Sequence, residues 1–163
     1  MKLIFIALLF PVAVQASGEN CLKEKKTAVC DKKLVQERVE WACKLVEEKG
    51  SAALSEIKAM RFDCCNENNY VWINTVEDAP KMVMHPIKPM LDGKDLSNNA
   101  DPNGKKLFVE FVKAVRVKPK GDWVEYHWTK GGEADATPKI SWVRSCKPKD
   151  TSQEWVVGSG TWK

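Results

Sequence analysis

Three short runs decide how this chain folds: Tyr70-Val71-Trp72-Ile73-Asn74, then Asp78-Ala79-Pro80-Lys81, then Met82-Val83-Met84-His85. The first and last follow the period of two that places successive side chains on opposite faces of a strand, and the middle run is turn chemistry. Together they predict a β-hairpin with its turn near Asp78.

Upstream of the hairpin the period changes. From Asp31 to Arg61, Val35, Val39, Ala42, Val46, Ala53, Ile57 and Met60 keep helical spacing, with Lys and Glu over much of the rest. A straight helix of that span would run on the order of 45 Å at ~1.5 Å per residue, so a break or bend is expected near Gly50-Ser51. Cys64-Cys65-Asn66-Glu67-Asn68-Asn69 reads as a turn-rich link into the first strand.

Downstream, Pro86 and Pro89 end the pairing, and residues 87–102 read as an ordered loop. Asp101-Pro102 looks like the opening of a second helix, with Asp as cap, Pro in the first turn and Leu107, Phe108, Phe111, Val112 and Val115 along one face. Pro119-Lys120-Gly121 stops it. Three more strands follow, Trp123 to Trp128, Lys139 to Arg144 and Trp155 to Trp162, the first two separated by a turn at Gly131-Gly132. The fold class is α+β: a five-stranded antiparallel sheet with the long helix on one face and the mid-chain loop and helix on the other.

The chain's 163 residues suit one globular unit, and 44% hydrophobic with 29% charged residues argues against disorder and against several membrane spans. A net charge of +4, spread along the chain, is too mild to suggest a nucleic-acid partner. Residues 1–16 read as a secretory signal: Lys2, an apolar run from Leu3 to Val14, and Val14-Gln15-Ala16 before cleavage after Ala16. The apolar run is shorter than the ~20 residues a bilayer span needs, so an uncleaved anchor is the weaker reading. The expected location is periplasmic or secreted.

Cys21, Cys30, Cys43, Cys64, Cys65 and Cys146 all follow the signal, an even number in an oxidising compartment, and all are disulfide candidates. The sequence does not choose among the pairings. Adjacent Cys64 and Cys65 fit two bridges to different partners better than one strained bridge between them. No C-x-x-C motif is present, and His85 and His127 lack metal-ligand spacing to any cysteine, so neither a metal nor a cofactor is expected.

Strand alternation asks which side chains share a face. Tyr70, Trp72 and Asn74 lie together, Tyr126 and Trp128 lie opposite His127, and Lys139 and Ser141 lie opposite Ile140 and Trp142. Converged, these sets would make a cleft with aromatic walls and a few donors, suited to a small anion with a short alkyl tail. Arg61 could add a bidentate contact or cap its helix, and His85 could touch ligand or hold the corner before Pro86. Trp72, Trp123 and Trp128 divide between core and pocket, Met82 and Met84 read as strand packing, and His127 as exposed or structural.

Several segments taken together carry a further signature: Arg61-Phe62, Tyr70 to Asn74, MVMHPIKPMLDGKDLSN from Met82 to Asn98, DPNGKKLFVEFVKAV from Asp101 to Val115, WVEYHW from Trp123 to Trp128, PKISWV from Pro138 to Val143, and WVVGSGTW from Trp155 to Trp162. These closely resemble the single Cache domain, the PAS-like extracellular sensor of chemotaxis receptors and sensor kinases, over residues 31–162. The domain reading is a signal peptide at 1–16 and a cysteine-containing lead-in at 17–30, both from the residues themselves, and one Cache domain at 31–163, from the resemblance. The resemblance also implies a small-molecule site between the sheet and the loop-helix segment, for acids such as acetate, propionate, pyruvate or lactate. The receptors of this group continue into a second membrane helix and a cytoplasmic module; this sequence ends at Lys163.

The function expected from these readings is capture or sensing of a small carboxylate without catalysis, by Arg61, Tyr70, Trp72, Asn74, His85, Tyr126, Trp128, Lys139 and Ser141. Expected partners are that acid and a membrane receptor or kinase, with the chain monomeric or paired through its long helix. Two competing readings are an exported thiol/disulfide redox protein using Cys64 and Cys65, and an accessory subunit of a membrane receptor.

Overall fold

A computed structural model of the chain describes residues 31–60, 69–130 and 132–163. The expected signal peptide and lead-in, Arg61, Gly131, and Cys21, Cys30, Cys64 and Cys65 lie outside the described residues. The long helix is α1, Lys32–Lys49, capped by the Asp31 side chain, which accepts from the Lys33 N–H at 2.8 Å. It ends at Gly50, where φ is +61°. A Cβ at that position would overlap the Asp150 carboxylate, and Asp150 accepts from the Ser51 N–H at 2.8 Å. A single turn, Gly50–Ala53, then leads into α2, Leu54–Ala59, so the expected break falls at Gly50.

The strands are β1 Val71–Thr75, β2 Met82–Met84, β3 Asp122–Thr129, β4 Ala136–Cys146 and β5 Trp155–Trp162. They form one antiparallel sheet in the order β2-β1-β5-β4-β3, with the expected hairpin at one edge and β3 at the other. No helix among the described residues is long and apolar enough to cross a membrane.

The two faces of the sheet differ in kind. Val35, Val39, Ala42 and Val46 of α1 pack with Val71, Ile73 and Val157 into an aliphatic core, and a disulfide joins Cys43 of α1 to Cys146 at the end of β4. Arg144 pairs with Glu40 beside it. On the other face lies α3, Leu107–Val117, whose Leu107, Phe108, Phe111, Val112 and Val115 pack with Tyr70, Trp72 and Tyr126.

The start of α3 corrects the sequence reading. Asp101-Pro102 does not cap the helix, which begins at Leu107. Asp101 Oδ1 accepts instead from the N–H groups of Asn103 and Lys105 at 2.9 and 3.0 Å, and Oδ2 from the His127 N–H at 3.0 Å. Those bonds close a loop ahead of the helix and fasten it to β3. The preceding loop is ordered, as expected: Gly93 N–H donates to Met82 O, and Leu96 N–H to Pro80 O, both at 2.8 Å, so the loop runs back along edge strand β2.

Candidate functional site

Register builds the site. Tyr126 on β3 stands opposite Lys139 on β4, which stands opposite Trp162 on β5, so one cross-strand row on the α3 face reads Tyr-Lys-Trp. The next row is Val124, Ser141 and Gly160. Trp72 on β1 stands opposite Gly158, where a Cβ would overlap the Trp72 ring, so that glycine lets the indole lie against β5.

Tyr70, Trp72, His85, Leu107, Phe108, Phe111, Tyr126 and Trp128 enclose a hollow between sheet and helix. Its free volume is about 10 Å³, room for one water and less than acetate needs. The aromatic side chains fill the rest, so any organic ligand must displace part of this wall. Five of the nine residues expected at the site are in the wall: Tyr70, Trp72, His85, Tyr126 and Trp128.

Lys139 and Ser141 stand behind it. The Lys139 ammonium lies 4.7 Å from the Tyr70 ring centroid, 5.9 Å from Trp72 and 4.0 Å from Trp162. It is 1% exposed and meets no carboxylate among the described residues. Burial, reinforced by the Lys88 ammonium, pushes its pKa down to about 7. Ser141 Oγ bonds the Tyr126 hydroxyl at 2.8 Å. Burial foremost raises the Tyr126 pKa well above the phenol range.

Asn74 shares the face but not the cavity. Its Oδ1 accepts from Trp72 Nε1 at 3.2 Å and its amide donates to Thr75 O at 3.1 Å, which makes it a support for the indole. Trp123 packs against Trp142 on the α1 side at 5.4 Å, whereas Trp72 and Trp128 are pocket walls. His127 is a structural residue: Asn103 Nδ2 lies 3.1 Å from its Nδ1. Trp162 and Lys88 are the neighbours of the site that side-chain chemistry alone did not single out. The register of Trp162 opposite Lys139 was the available signal.

His85 holds the corner before Pro86 and also stands in the wall of the hollow. Its Nδ1 accepts from the Ile87 and Lys88 N–H groups at 3.2 and 3.0 Å, turning the chain at Pro86. With Nδ1 an acceptor, Nε2 carries the proton, and the ring, 4.8 Å from that of Tyr70, is a fixed neutral donor in the wall. Burial, then Lys139 and Lys88, pushes its pKa down to about 3. Tyr70 is a second donor: Trp128 Nε1 donates to its oxygen at 3.0 Å, leaving the phenol proton for another acceptor, and burial raises its pKa.

Among the described residues, the arrangement is therefore rich in donors and has no acidic residue in its walls. Comparison with known proteins agrees with this architecture. The family model of single Cache domain 2 matches residues 28–162. The chain belongs to the single Cache domain family.

This Cache domain is 38% identical over 110 residues to the methyl-accepting chemotaxis protein McpP of Pseudomonas putida, covering 68% of this chain and 18% of that receptor's length. It is similar to a solved periplasmic sensor domain of a chemotaxis protein, with 41% identity and a TM-score of 0.69 over 80% of this chain and 94% of that one. A Cache chemosensory domain solved for its carboxylic acid recognition matches with 33% identity and a TM-score of 0.66, over 80% and 91% of the two chains. The shared fold is the long helix and five-stranded antiparallel sheet described above.

Proposed function

We propose that this Cache domain is a periplasmic sensor module that captures a small carboxylic acid in the hollow between sheet and α3 and performs no chemistry on it. The observation that carries the reading is Lys139, a buried ammonium with three aromatic rings around it and no carboxylate partner among the described residues. A buried cation is costly unless an anion accompanies it, and a small carboxylate brought in with the ligand supplies that partner.

The Tyr70 hydroxyl and His85 Nε2–H add directed neutral donors, while the aromatic faces cover a methyl or methylene group. Such walls favour acids without an amine, because an ammonium on the ligand would meet Lys139 and find no acidic residue among the described residues. The relative solved for carboxylic acid recognition supports this class, and the chemotaxis relatives support a receptor as partner.

Calorimetric titration with acetate, propionate, pyruvate and lactate, beside alanine and serine, tests the reading. Binding of at least one plain or oxygen-bearing acid, with the amino acids at least about a hundredfold weaker, is expected. Binding of the amino acids alone, or of none, overturns it.

A further inference from the structure

Since the hollow holds only about 10 Å³ of free volume, a ligand reaches it by moving a wall. A far larger concavity lies beside the first turn of α3: a groove of about 660 Å³ whose lining includes Lys105, Lys106, Glu125, Tyr126, Lys139 and Lys163. Tyr126 lines both spaces, and Lys139 lines the groove while its ammonium stacks on Tyr70, a wall of the hollow.

We infer that this groove is the entry port and first holding site for the anionic ligand, and that the Tyr126 side chain is the partition it passes. The inference rests on the hollow being a carboxylate site, and three observations carry it further. Tyr126 sits on an edge strand that pairs only with β4, so local movement there breaks fewer hydrogen bonds than movement of β1, β4 or β5, each flanked by strands on both sides. The side chain's polar tie is the bond to Ser141. Tyr126 shares its buried cluster with Tyr70, Trp72, Leu107, Phe108 and Phe111, and among these walls it is the one that also lines the groove.

The groove's charge fits the same traffic. Its carboxylates are already engaged: Asp101 by three backbone N–H groups, Glu110 by Lys113 at 2.8 Å and Glu125 by Lys163 at 2.7 Å. Lys105 is bonded to the Glu125 carbonyl at 2.6 Å and Lys106 to Asn98 Oδ1 at 3.3 Å, both neutral acceptors, so these ammonium groups keep their positive field. An acid entering here meets Lys105 and Lys106 first and Lys139 last, and a concave surface with an excess of positive charge raises the on-rate of an anionic ligand.

NMR line-shape analysis of a propionate titration separates association from dissociation, with acetate, pyruvate or lactate substituted if one of them binds more tightly. Lys105→Glu with Lys106→Glu should slow association about tenfold at low salt, leave dissociation within twofold, and lose its effect near 1 M salt, where the screening length is about 3 Å. Lys33→Glu with Lys44→Glu changes net charge equally on the exposed side of α1 and should leave association unchanged. If removing the Lys105 bond disturbs the fold, Lys106→Glu alone should slow association about threefold. Equal slowing by both pairs, or by neither, overturns the port while leaving the hollow as the site. Absence of any binding to the unmodified protein overturns both.

Discussion

The two faces of this sheet use the same strands for opposite ends. On the α1 face the buried side chains are mainly aliphatic, with tryptophans such as Trp123 and Trp142 beside them, and a disulfide crosses from helix to sheet. On the α3 face the aromatic residues surround a buried ammonium and hydroxyl and imidazole donors. Period-two alternation makes this possible, since residues such as Ile140 and Ser141 are neighbours in the chain and strangers in space. A buried charge with no carboxylate partner among the described residues costs stability, while the packing and the disulfide of the opposite face contribute it.

The disulfide is where the contrast breaks most sharply. Cys43 and Cys146 are separated by 103 residues, and closing a loop of that length contributes about 4.7 kcal/mol in the chain-entropy account. Cys43→Ala with Cys146→Ala should lower unfolding free energy by about that amount in urea titrations and leave acid affinity within twofold. A large loss of affinity in the folded variant would show that the α1 face shapes the pocket, contrary to the division drawn between the faces.

Lys139→Met should do the reverse. The thioether chain keeps most of the packing against Tyr70 and Trp162 while removing the charge, so acid binding should weaken by at least a hundredfold, about 3 kcal/mol. Thermal stability should hold or rise, because a buried ammonium with no carboxylate partner among the described residues is replaced by an apolar group. Calorimetry and a thermal melt on the same sample test both halves. Undiminished binding would place the anion elsewhere.

This contrast also marks what could be read from sequence. Helical and strand periods gave α1 and the five strands, and the length of the helical span gave the break near Gly50-Ser51. Asp101-Pro102 misled because the carboxylate closes a loop ahead of the helix through the Asn103 and Lys105 N–H groups and is tied to the His127 N–H across in β3, the last of which no local pattern reveals. At the site, alternation identified the face of Tyr126, Trp128 and Lys139. It could not say where a side-chain amide on that face points, and Asn74 turns to Trp72 instead of the hollow. Nor does a face assignment fix volume, so the narrowness of the cavity was not legible.

A smaller effect concerns pH. Lys139, pushed to about 7 by burial and by Lys88, titrates near neutrality, whereas His85 at about 3 stays uncharged and Tyr70 and Tyr126 stay protonated there. A carboxylate binds the charged form, so above pH 7 binding takes up a proton and affinity falls by up to tenfold per pH unit, about 1.4 kcal/mol. Without ligand the sign is opposite. Between about 7 and 10.5 the unfolded chain holds a proton that folded Lys139 has released, so this group's contribution to stability rises with pH. Calorimetry at pH 8 in buffers of different ionisation enthalpy should register the uptake, and an affinity flat from pH 6.5 to 8.5 would count against Lys139 as the anion's partner.

The smallest expected change sits at the boundary between hollow and groove. Ser141→Ala removes the hydroxyl 2.8 Å from Tyr126 and leaves a buried phenol without that partner, which costs about 1 kcal/mol of stability. Since Ser141 is not in the cavity wall, the equilibrium affinity for acid should change less than threefold. The rates should respond instead: with Tyr126 less firmly tied, association and dissociation of propionate should both quicken by a similar factor, because loosening a partition lowers one barrier crossed in both directions. If affinity falls while the rates of exchange stay fixed, Ser141 acts on the ligand itself, and the partition must be sought in another wall.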